Sequence, residues 1–361
     1  MIIIPLIFSS IISGVTSIGN GKNLGRLGIK TISYYVGTSL IAIITGLFFV
    51  NIIQPGVGAD LGLNQENTVL STEHEPLGSI FTRIIPENIF ESMVQGNILP
   101  IIFFAVLFGF FILQVENNYQ KSLTTFFNGL FEVMMKITLF IIRFTPLGIL
   151  GIVAREVAKN ADHLGSVAGS MGIYMLTVLL GLAFHMFISI PLLVRLVGKA
   201  RPYDHLRNMI TPILTAFSTS SSSAALPLTI DAVENKSGIS NKITSFTLPL
   251  GATINMDGTA LYECVAVIFI AQVYGVNLSF SDQFVVVITA LLASIGAAGI
   301  PMAGLVMMTV VLTAVKLPLE GVGLILTVDR ILDMCRTSVN VWSDTCGALI
   351  IAKSEKETTN V

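Results

Sequence analysis

The sequence has little charge. Only 12% of its 361 residues are Asp, Glu, Lys or Arg, whereas 53% are hydrophobic and the mean hydropathy is +0.81. Soluble globular domains carry about 25% charged residues, so this composition excludes an ordinary soluble protein. Charged residues are absent from four long tracts, which lie between Lys30 and Asp60, Glu91 and Glu116, Asp162 and Arg195, and Asp282 and Lys316. A membrane-crossing helix needs roughly 20 residues, so each tract is long enough, and we predict an all-α integral membrane protein.

The sequence also lacks a basic excess and a pattern of metal-binding cysteines. The formal net charge is -2, which disfavours nucleic acid as a partner. Cys264, Cys335 and Cys346 lie in apolar segments without metal-ligand spacing, which is typical of small buried side chains. We therefore expect no nucleic acid and no organic cofactor.

The apolar spans and the basic residues between them predict a multi-pass topology. The first five spans cover residues 1–18, 31–53, 92–115, 125–154 and 165–194. Basic residues follow the first and the fifth of them, namely Lys22, Arg26, Lys30, Arg195, Lys199, Arg201 and Arg207. The positive-inside rule places both groups in the cytoplasm, and residues 54–82, without Lys or Arg, outside. We expect the protein in the plasma (inner) membrane.

Two later apolar stretches are interrupted in the middle. Residues 208–238 contain the run Ser218 to Ser223 and then Pro227, and residues 283–315 contain Gly296, Gly299 and Pro301. Each half is too short to span a bilayer alone, so a re-entrant hairpin competes with a single kinked helix. Each stretch is followed by an apolar segment with polar residues at its centre, at 243–275 and 320–352. This repetition favours hairpins and an inverted repeat with a binding site at midplane.

The last segment carries a stripe of polar residues. Its members, Asp329, Asp333, Arg336, Asn340 and Asp344, are spaced to fall on one face of an α-helix. Ionisable groups in a bilayer core are costly and persist where they face a cavity or one another. A guanidinium, a carboxylate and an amide are the groups that would hold an acidic amino acid, although a structural Asp–Arg pair is the alternative.

A second polar motif interrupts the apolar segment 243–275. It reads Asn255-Met256-Asp257-Gly258-Thr259, with apolar sequence on both sides. Short polar residues and a glycine favour a broken helix that exposes oxygen atoms, and hard cations bind such oxygens. Asp344 has no fixed cation in its stripe, so we predict sodium binding at both carboxylates.

These motifs resemble those of the glutamate/aspartate transporters, the dicarboxylate/amino acid:cation symporters. The resemblance rests on Ser220–Ser223, Asn255–Thr259, Ser294–Pro301 and Asp333–Asn340, and extends to Tyr34–Ser39. It implies an elevator-type fold with two re-entrant hairpins and broken helices in inverted repeat, assembled as a homotrimer. A single domain over 1–361 would combine a scaffold at about 1–20 and 90–155 with a moving part at about 28–56 and 165–352. The family's first helix and part of its second would precede Met1.

The resemblance also implies substrate ligands. Arg336 would hold the side-chain carboxylate near Thr259, Asp333 and Thr337 would hold the amino group, and Asn340 with Ser221 and Ser222 would hold the α-carboxylate. Gly299 would belong to the same pocket. The substrate would be glutamate or aspartate.

Three sodium sites follow from the same resemblance, and they define the ions we expect to be co-transported. The first comprises Gly251, Asn255, Asn340 and Asp344, the second Tyr35, Thr38, Ser39, Asn255 and Asp257, and the third Thr253, Met256, Ser294, Ile295 and Ala297. Ala297 replaces a threonine of some archaeal members, which removes a hydroxyl but keeps the carbonyl.

Glu263 differs from the glutamine of sodium-only archaeal members and matches the glutamate of proton-coupled members. A glutamate in a bilayer core can exchange a proton near neutral pH when burial disfavours its charged form. Proton coupling and potassium countertransport are therefore additional expectations, against a permanently paired or hydrated glutamate. Ser220 and Met334 occupy the two positions at which family members carry a further arginine.

Four other functions compete with this interpretation. A neutral amino acid symporter of the family usually lacks the arginine, and a C4-dicarboxylate symporter lacks the ammonium-binding aspartate, so Arg336 and Asp333 together disfavour both. An anion channel would lack saturable uptake against a gradient. An intramembrane aspartyl protease would need Asp257 and Asp333 to face each other. We expect a transporter rather than an enzyme.

Overall fold

The computed structural model describes residues 3–16, 22–59, 87–95, 98–142, 164–296 and 303–361, with Ile85, Phe144, Leu147, Leu150 and Gly151. Among these residues there are helices and no strands. The helices are α1 (Ile3–Thr16), α2 (Lys22–Ile53), α3 (Ile89–Gln95), α4 (Ile98–Ile112), α5 (Asn117–Ile142), α6 (Leu164–Phe184), α7 (Ile190–Leu196), α8 (Pro202–Asn208), α9 (Ile210–Thr219), α10 (Ser222–Asn235), α11 (Asn241–Ile254), α12 (Asp257–Val273), α13 (Phe280–Gly296), α14 (Ala303–Ala314) and α15 (Val322–Ser354). A π-helical turn, His185–Ser189, joins α6 to α7.

Three helical segments of the described chain are long and apolar enough to cross a membrane. They are Arg26–Ile53, Ala168–Leu196 and Asn241–Val273. Large apolar side chains such as Phe48, Leu192 and Leu214 are more than half exposed, as expected for surfaces that face lipid rather than water. The prediction of an all-α membrane protein is confirmed. Lys22, Arg26 and Lys30, which the sequence placed in a loop, lie instead in the first turns of α2.

Helix α12 lies at the centre of the larger group of helices. Every residue from Asp257 to Ala271 is buried. The helix packs against α2, α6, α13, α14 and α15. An apolar helix surrounded on all sides is hydrophobic around its whole circumference, so the polar residues at its beginning must find partners inside the protein.

A second group consists of α1, α4 and α5, which pack mainly against one another. Four phenylalanines fill the space between them. Phe8 lies 6.2 Å from Phe104 and 6.0 Å from Phe127, and Phe108 lies 5.7 Å from both Phe104 and Phe127, measured between ring centroids. These stacked and edge-to-face pairs provide the packing that holds the three helices together.

Two of the helix breaks that the sequence indicated lie within the described residues, and the structure contains both. Between α9 and α10, Ser220 adopts a left-handed conformation with φ 51°, and the Ser221 side chain accepts a hydrogen bond from the Ala224 backbone N–H. The two helices pack against each other. The next break, between α11 and α12, falls at Asn255, which is extended.

The second interrupted stretch gives α13 and α14, which also pack against each other. Its proposed tip, with Ala297, Gly299 and Pro301, lies outside the described residues. Helix α15 runs for 33 residues without a break. The two polar segments of the predicted repeat therefore differ, because the first is broken at Asn255 and the second is continuous.

Candidate functional site

The polar stripe of α15 faces the interior. Asp329, Asp333, Arg336, Asn340 and Asp344 are each at most 5% exposed. Their spacing places them on the face of α15 that packs against α12. The helix thus brings five polar side chains into the protein instead of presenting them to lipid.

Arg336 is held between two acids and an aromatic ring. Its Nη2 donates to Asp333 Oδ1 at 2.8 Å and lies 3.2 Å from Asp329 Oδ1. Its guanidinium carbon lies 3.7 Å above the centroid of the Tyr262 ring, a cation–π geometry. The Nε and Nη1 atoms are buried and have no hydrogen-bond partner among the described residues. The N–H groups of these two guanidinium nitrogens therefore remain to bind an oxyanion.

Asn340 connects α15 to the beginning of α12. Its Oδ1 accepts from the Gly258 N–H at 2.8 Å, and its Nδ2 donates to Thr259 Oγ1 at 3.3 Å. A Cβ at Gly258 would lie 2.6 Å from the Arg336 carbonyl oxygen, so only glycine permits this approach of the two helices. Thr337, one residue after the arginine, donates to the Asp333 carbonyl.

The turn between α9 and α10 packs close to this stripe. Ala216, Ala225 and Val341 form a buried apolar cluster, and Val341 directly follows Asn340. Ser222 is buried at this turn, whereas Ser221 is partly exposed and caps α10. No direct contact joins either serine to Asn340 among the described hydrogen bonds, so their role in substrate binding stays a prediction.

Asn255 and Asp344 meet at the break between α11 and α12. The Asn255 Nδ2 donates to Asp344 Oδ1 at 2.8 Å, and its Oδ1 lies 3.4 Å from Thr38 Oγ1. A Cβ at Gly251 would lie 2.5 Å from Asp344 Oδ1 and 2.7 Å from the Tyr35 hydroxyl oxygen. The missing side chain of Gly251 therefore lets oxygens of α2 and α15 approach the break between α11 and α12.

Asp257 accepts hydrogen bonds on both oxygens. Ser39 donates to Oδ1 at 2.7 Å, and Ser343 donates to Oδ2 at 2.6 Å. The Nε2 atom of His185 lies 3.1 Å from Oδ2. All four residues are buried, three of them completely. Carboxylate, hydroxyl and amide oxygens gathered in this way are the ligands that a hard cation prefers.

The third predicted set of sodium ligands is described only in part. Thr253 donates to the Leu250 carbonyl at 3.0 Å, and Ser294 donates to the Leu291 carbonyl at 2.9 Å. Ile295 packs against the apolar cluster that contains Tyr35, and Met256 is buried. Ala297 lies outside the described residues, as does Gly299 of the predicted substrate pocket.

Glu263 lies on α12, six residues after Asp257 and directly after Tyr262, whose ring contacts Arg336. It is completely buried, and neither carboxyl oxygen has a hydrogen-bond partner among the described residues. A buried carboxylate without a hydrogen bond is costly, whereas a protonated carboxyl is less so.

The sequence analysis missed three residues of this site. His185, a lone histidine in an apolar span, contacts Asp257. Ser343 connects Asn255 to Asp257 through its hydroxyl group, and Tyr262 supports the Arg336 guanidinium. A signal existed for His185, because a polar ionisable side chain inside a membrane span is by default a functional candidate. Nothing in the sequence indicated the other two contacts.

Comparison with known proteins places these features in one family. The profile of the Sodium:dicarboxylate symporter family matches residues 1–354. The chain is 37% identical to an Excitatory amino acid transporter of Caenorhabditis elegans over 396 aligned residues, which cover 97% of this chain and 78% of the relative.

Two bacterial relatives match over similar lengths. The Proton/glutamate-aspartate symporter of Escherichia coli K12 is 35% identical, with 98% of this chain and 82% of the relative covered. The Proton/sodium-glutamate symport protein of Geobacillus stearothermophilus is 35% identical, with 98% and 85% covered. These relatives are transporters and not enzymes. With its buried polar stripe, its broken α11–α12 segment and these matches over nearly its full length, the chain belongs to the sodium:dicarboxylate symporter family.

Proposed function

We propose that the protein is a sodium-coupled secondary active symporter of acidic amino acids. The observation that supports this most directly is the buried Arg336 guanidinium, whose Nε and Nη1 have no hydrogen-bond partner among the described residues. A buried cation whose Nη1 and Nε keep unpaired N–H donors in a membrane interior is suited to bind a carboxylate by charge-assisted hydrogen bonds. The relatives' names, which include glutamate and aspartate, agree with an acidic substrate.

The neighbours of Arg336 suit the other groups of an amino acid. The Asp333 carboxylate and the Thr337 hydroxyl would hold the ammonium group, while the Asn340 amide and the turn at Ser221 and Ser222 would hold the α-carboxylate. Thr259, at 3.3 Å from the Asn340 amide, would lie beside the side-chain carboxylate. A single buried arginine among these groups favours a dicarboxylic amino acid over a neutral one.

Sodium coupling is supported by the oxygen clusters at Asp257 and Asp344. Both carboxylates are buried, and neither forms an ion pair with a described Lys or Arg. A co-transported Na⁺ at each carboxylate would neutralise its charge while the domain moves. The name of the Geobacillus relative, a Proton/sodium-glutamate symport protein, agrees with sodium as one of the coupled cations.

The transport cycle would move one group of helices past the other. We propose that α1, α4 and α5 belong to a fixed scaffold and that α2 and α6–α15 move as an elevator, in a homotrimer of the plasma membrane. The two groups differ in packing, since the first is joined by aromatic rings and the second surrounds the polar stripe. The turn at Ser220 and residues 297–302 would be the tips of re-entrant hairpins that close over the substrate.

The test of the substrate assignment is Arg336→Cys. Loss of the guanidinium leaves a bound side-chain carboxylate desolvated without a partner, so uptake of aspartate and glutamate into proteoliposomes should fall by at least about a hundredfold. Uptake of neutral amino acids should be retained or gained. Arg330→Cys, on the exposed side of the same helix, is the matched control and should transport normally. Unchanged acidic uptake by the Arg336 variant would remove the assignment.

Proton coupling through Glu263 is a separate proposal with its own test. With substrate and sodium bound, a proton on Glu263 would reduce the charge that crosses the membrane, and potassium would occupy the region on the return step. Glu263→Gln should therefore keep substrate exchange but lose net uptake and its dependence on external pH. If wild-type uptake produces no external alkalinisation and ignores a proton gradient, Glu263 is structural and the protein couples sodium alone.

A further inference from the structure

The π-helical turn at His185–Ser189 is explained by Pro191. Proline has no N–H, so it cannot donate to a carbonyl in the preceding turn. The Ile190 N–H donates to the His185 carbonyl, five residues back, which is the π-helical register. The Met186 carbonyl thereby loses both of its usual backbone donors, since Ile190 is already bonded and Pro191 has none. A π-turn within an α-helix often marks a functional site.

Side chains satisfy the carbonyls that this turn frees. The Trp342 Nε1 donates to the Met186 carbonyl at 3.0 Å, and the Tyr203 hydroxyl donates to the Phe187 carbonyl at 3.1 Å. Trp342 belongs to α15 and directly precedes Ser343, which donates to Asp257. The turn is therefore attached to the same stretch of α15 that supports the Asp257 carboxylate.

The same turn places His185 against Asp257. His185 is completely buried, and its Nε2 lies 3.1 Å from Asp257 Oδ2, to which Ser343 also donates. The Nδ1 atom has no hydrogen-bond partner among the described residues. Among the described residues, the polar contact of the His185 ring is therefore the one from Nε2 to Asp257, the carboxylate that we propose binds sodium.

We propose that His185 is a positioning residue for sodium: its Nε2–H donates to Asp257 Oδ2 and keeps Oδ1, with Ser39 and Asn255, oriented toward the ion. This inference rests on the proposed sodium coupling. Without the histidine, Ser343 alone would hold Oδ2 and Ser39 alone would hold Oδ1, so the orientation of the Asp257 carboxylate would be less restricted. The residue acts through Asp257 and needs no contact with the ion or the substrate.

Three substitutions separate positioning from packing. Gln extends its Nε2 to about the place of the histidine Nε2, Asn reaches only the place of Nδ1, and Leu fills the volume without a donor. We expect His185→Gln to keep the sodium concentration for half-maximal response within about threefold of wild type, and His185→Asn and His185→Leu to raise it by about tenfold or more. The KM for substrate at saturating sodium should remain within about threefold of wild type in all three variants.

The response can be read without transport, because Trp342 is the single tryptophan of the chain and bonds to the π-turn. Sodium chloride is titrated against choline chloride at constant ionic strength, and Trp342 emission is recorded on purified protein in nanodiscs. His205→Gln is the matched control. It is measured by sodium-dependent uptake, because the His205 ring lies 5.5 Å from the Trp342 ring and its replacement would change the emission directly. His205 is also completely buried, but its Nδ1 pairs with Ser237 rather than with a carboxylate.

The outcomes distinguish this inference from the proposed function. If wild type responds to sodium and the Asn and Leu variants respond at the same concentration, His185 has no positioning role while sodium coupling stands. If the Gln variant is as impaired as Leu, the donor is not what matters and the inference fails. If wild type shows no sodium dependence in either Trp342 emission or uptake, both the inference about His185 and the proposed sodium coupling are wrong. Side-chain ¹⁵N NMR of labelled histidines gives a further check, since an unprotonated Nε2 on His185 would overturn the hydrogen bond itself.

Discussion

The two helix groups of this protein are held together in different ways. Between α1, α4 and α5 the contacts are mainly phenylalanine rings, with one hydrogen bond from Ser13 to Asn128. Around α12 the contacts that join α2, α11 and α15 include hydrogen bonds to Asp257, Asn255 and Asn340. Ring packing tolerates small shifts, but a hydrogen bond fails when its partners move by an ångström. The comparison indicates that the function of the polar helix group depends on one arrangement of side chains, whereas the aromatic helix group depends mainly on filled volume.

Gly251→Ala is the substitution in this comparison with the largest expected effect on sodium dependence. The added Cβ would lie 2.5 Å from Asp344 Oδ1 and 2.7 Å from the Tyr35 oxygen, so either the carboxylate or α2 must shift. We expect sodium-driven uptake to be lost, or its sodium requirement to rise by at least about a hundredfold, measured as aspartate uptake over a sodium titration.

The control for this substitution is Gly172→Ala. A Cβ at Gly172 meets nothing within 4 Å, so the same change of residue should leave uptake unchanged. Equal loss in both variants would show that glycine itself, rather than the contact with Asp344, is required. Normal sodium dependence of Gly251→Ala would mean that Asp344 does not bind sodium from this position.

Phe127→Ala tests the aromatic side of the comparison. Phe127 is 7% exposed and contacts Phe8 and Phe108 edge to face, so its removal leaves a cavity between the three helices. Such a change costs about 3 kcal/mol in well-packed cores. We expect a lower melting temperature in detergent, with the sodium dependence of the surviving protein unchanged.

Phe126→Ala is the matched control, because Phe126 is the next residue along the helix and its side chain is 62% exposed. It should change the melting temperature much less. A shift in the sodium dependence of Phe127→Ala would contradict the comparison, since it would show that the aromatic group also determines the geometry of the polar one.

The sequence predicted the local features of the polar group better than its contacts. The i, i+3 and i+4 spacing correctly placed Asp333, Arg336 and Asn340 on one buried face, and the motif at Asn255 correctly indicated a broken helix. Periodicity tells which side of a helix a residue occupies, but it does not identify the partner on another helix. The contacts of His185 with Asp257 and of Tyr262 with Arg336 depend on how helices pack, so the sequence could not show them.

The smallest expected effect lies just after the end of α15, at the edge of the larger helix group and away from its polar site. Glu355 forms ion pairs with Lys30 and Arg26, and the hydrogen bond from Lys30 is the main cause that lowers the pKa of this carboxyl. A carboxyl with a lowered folded-state pKa stabilises the protein above its unfolded pKa of about 4.3 and loses that contribution as pH falls through the folded value. Because the pair is partly exposed, Glu355→Gln should lower the melting temperature slightly at pH 7 and not at pH 3. Glu116→Gln, at an exposed acid without an ion pair to the described residues, is the control. A deficit of the Glu355 variant that persists at pH 3 would show that the carboxylate charge is not its cause.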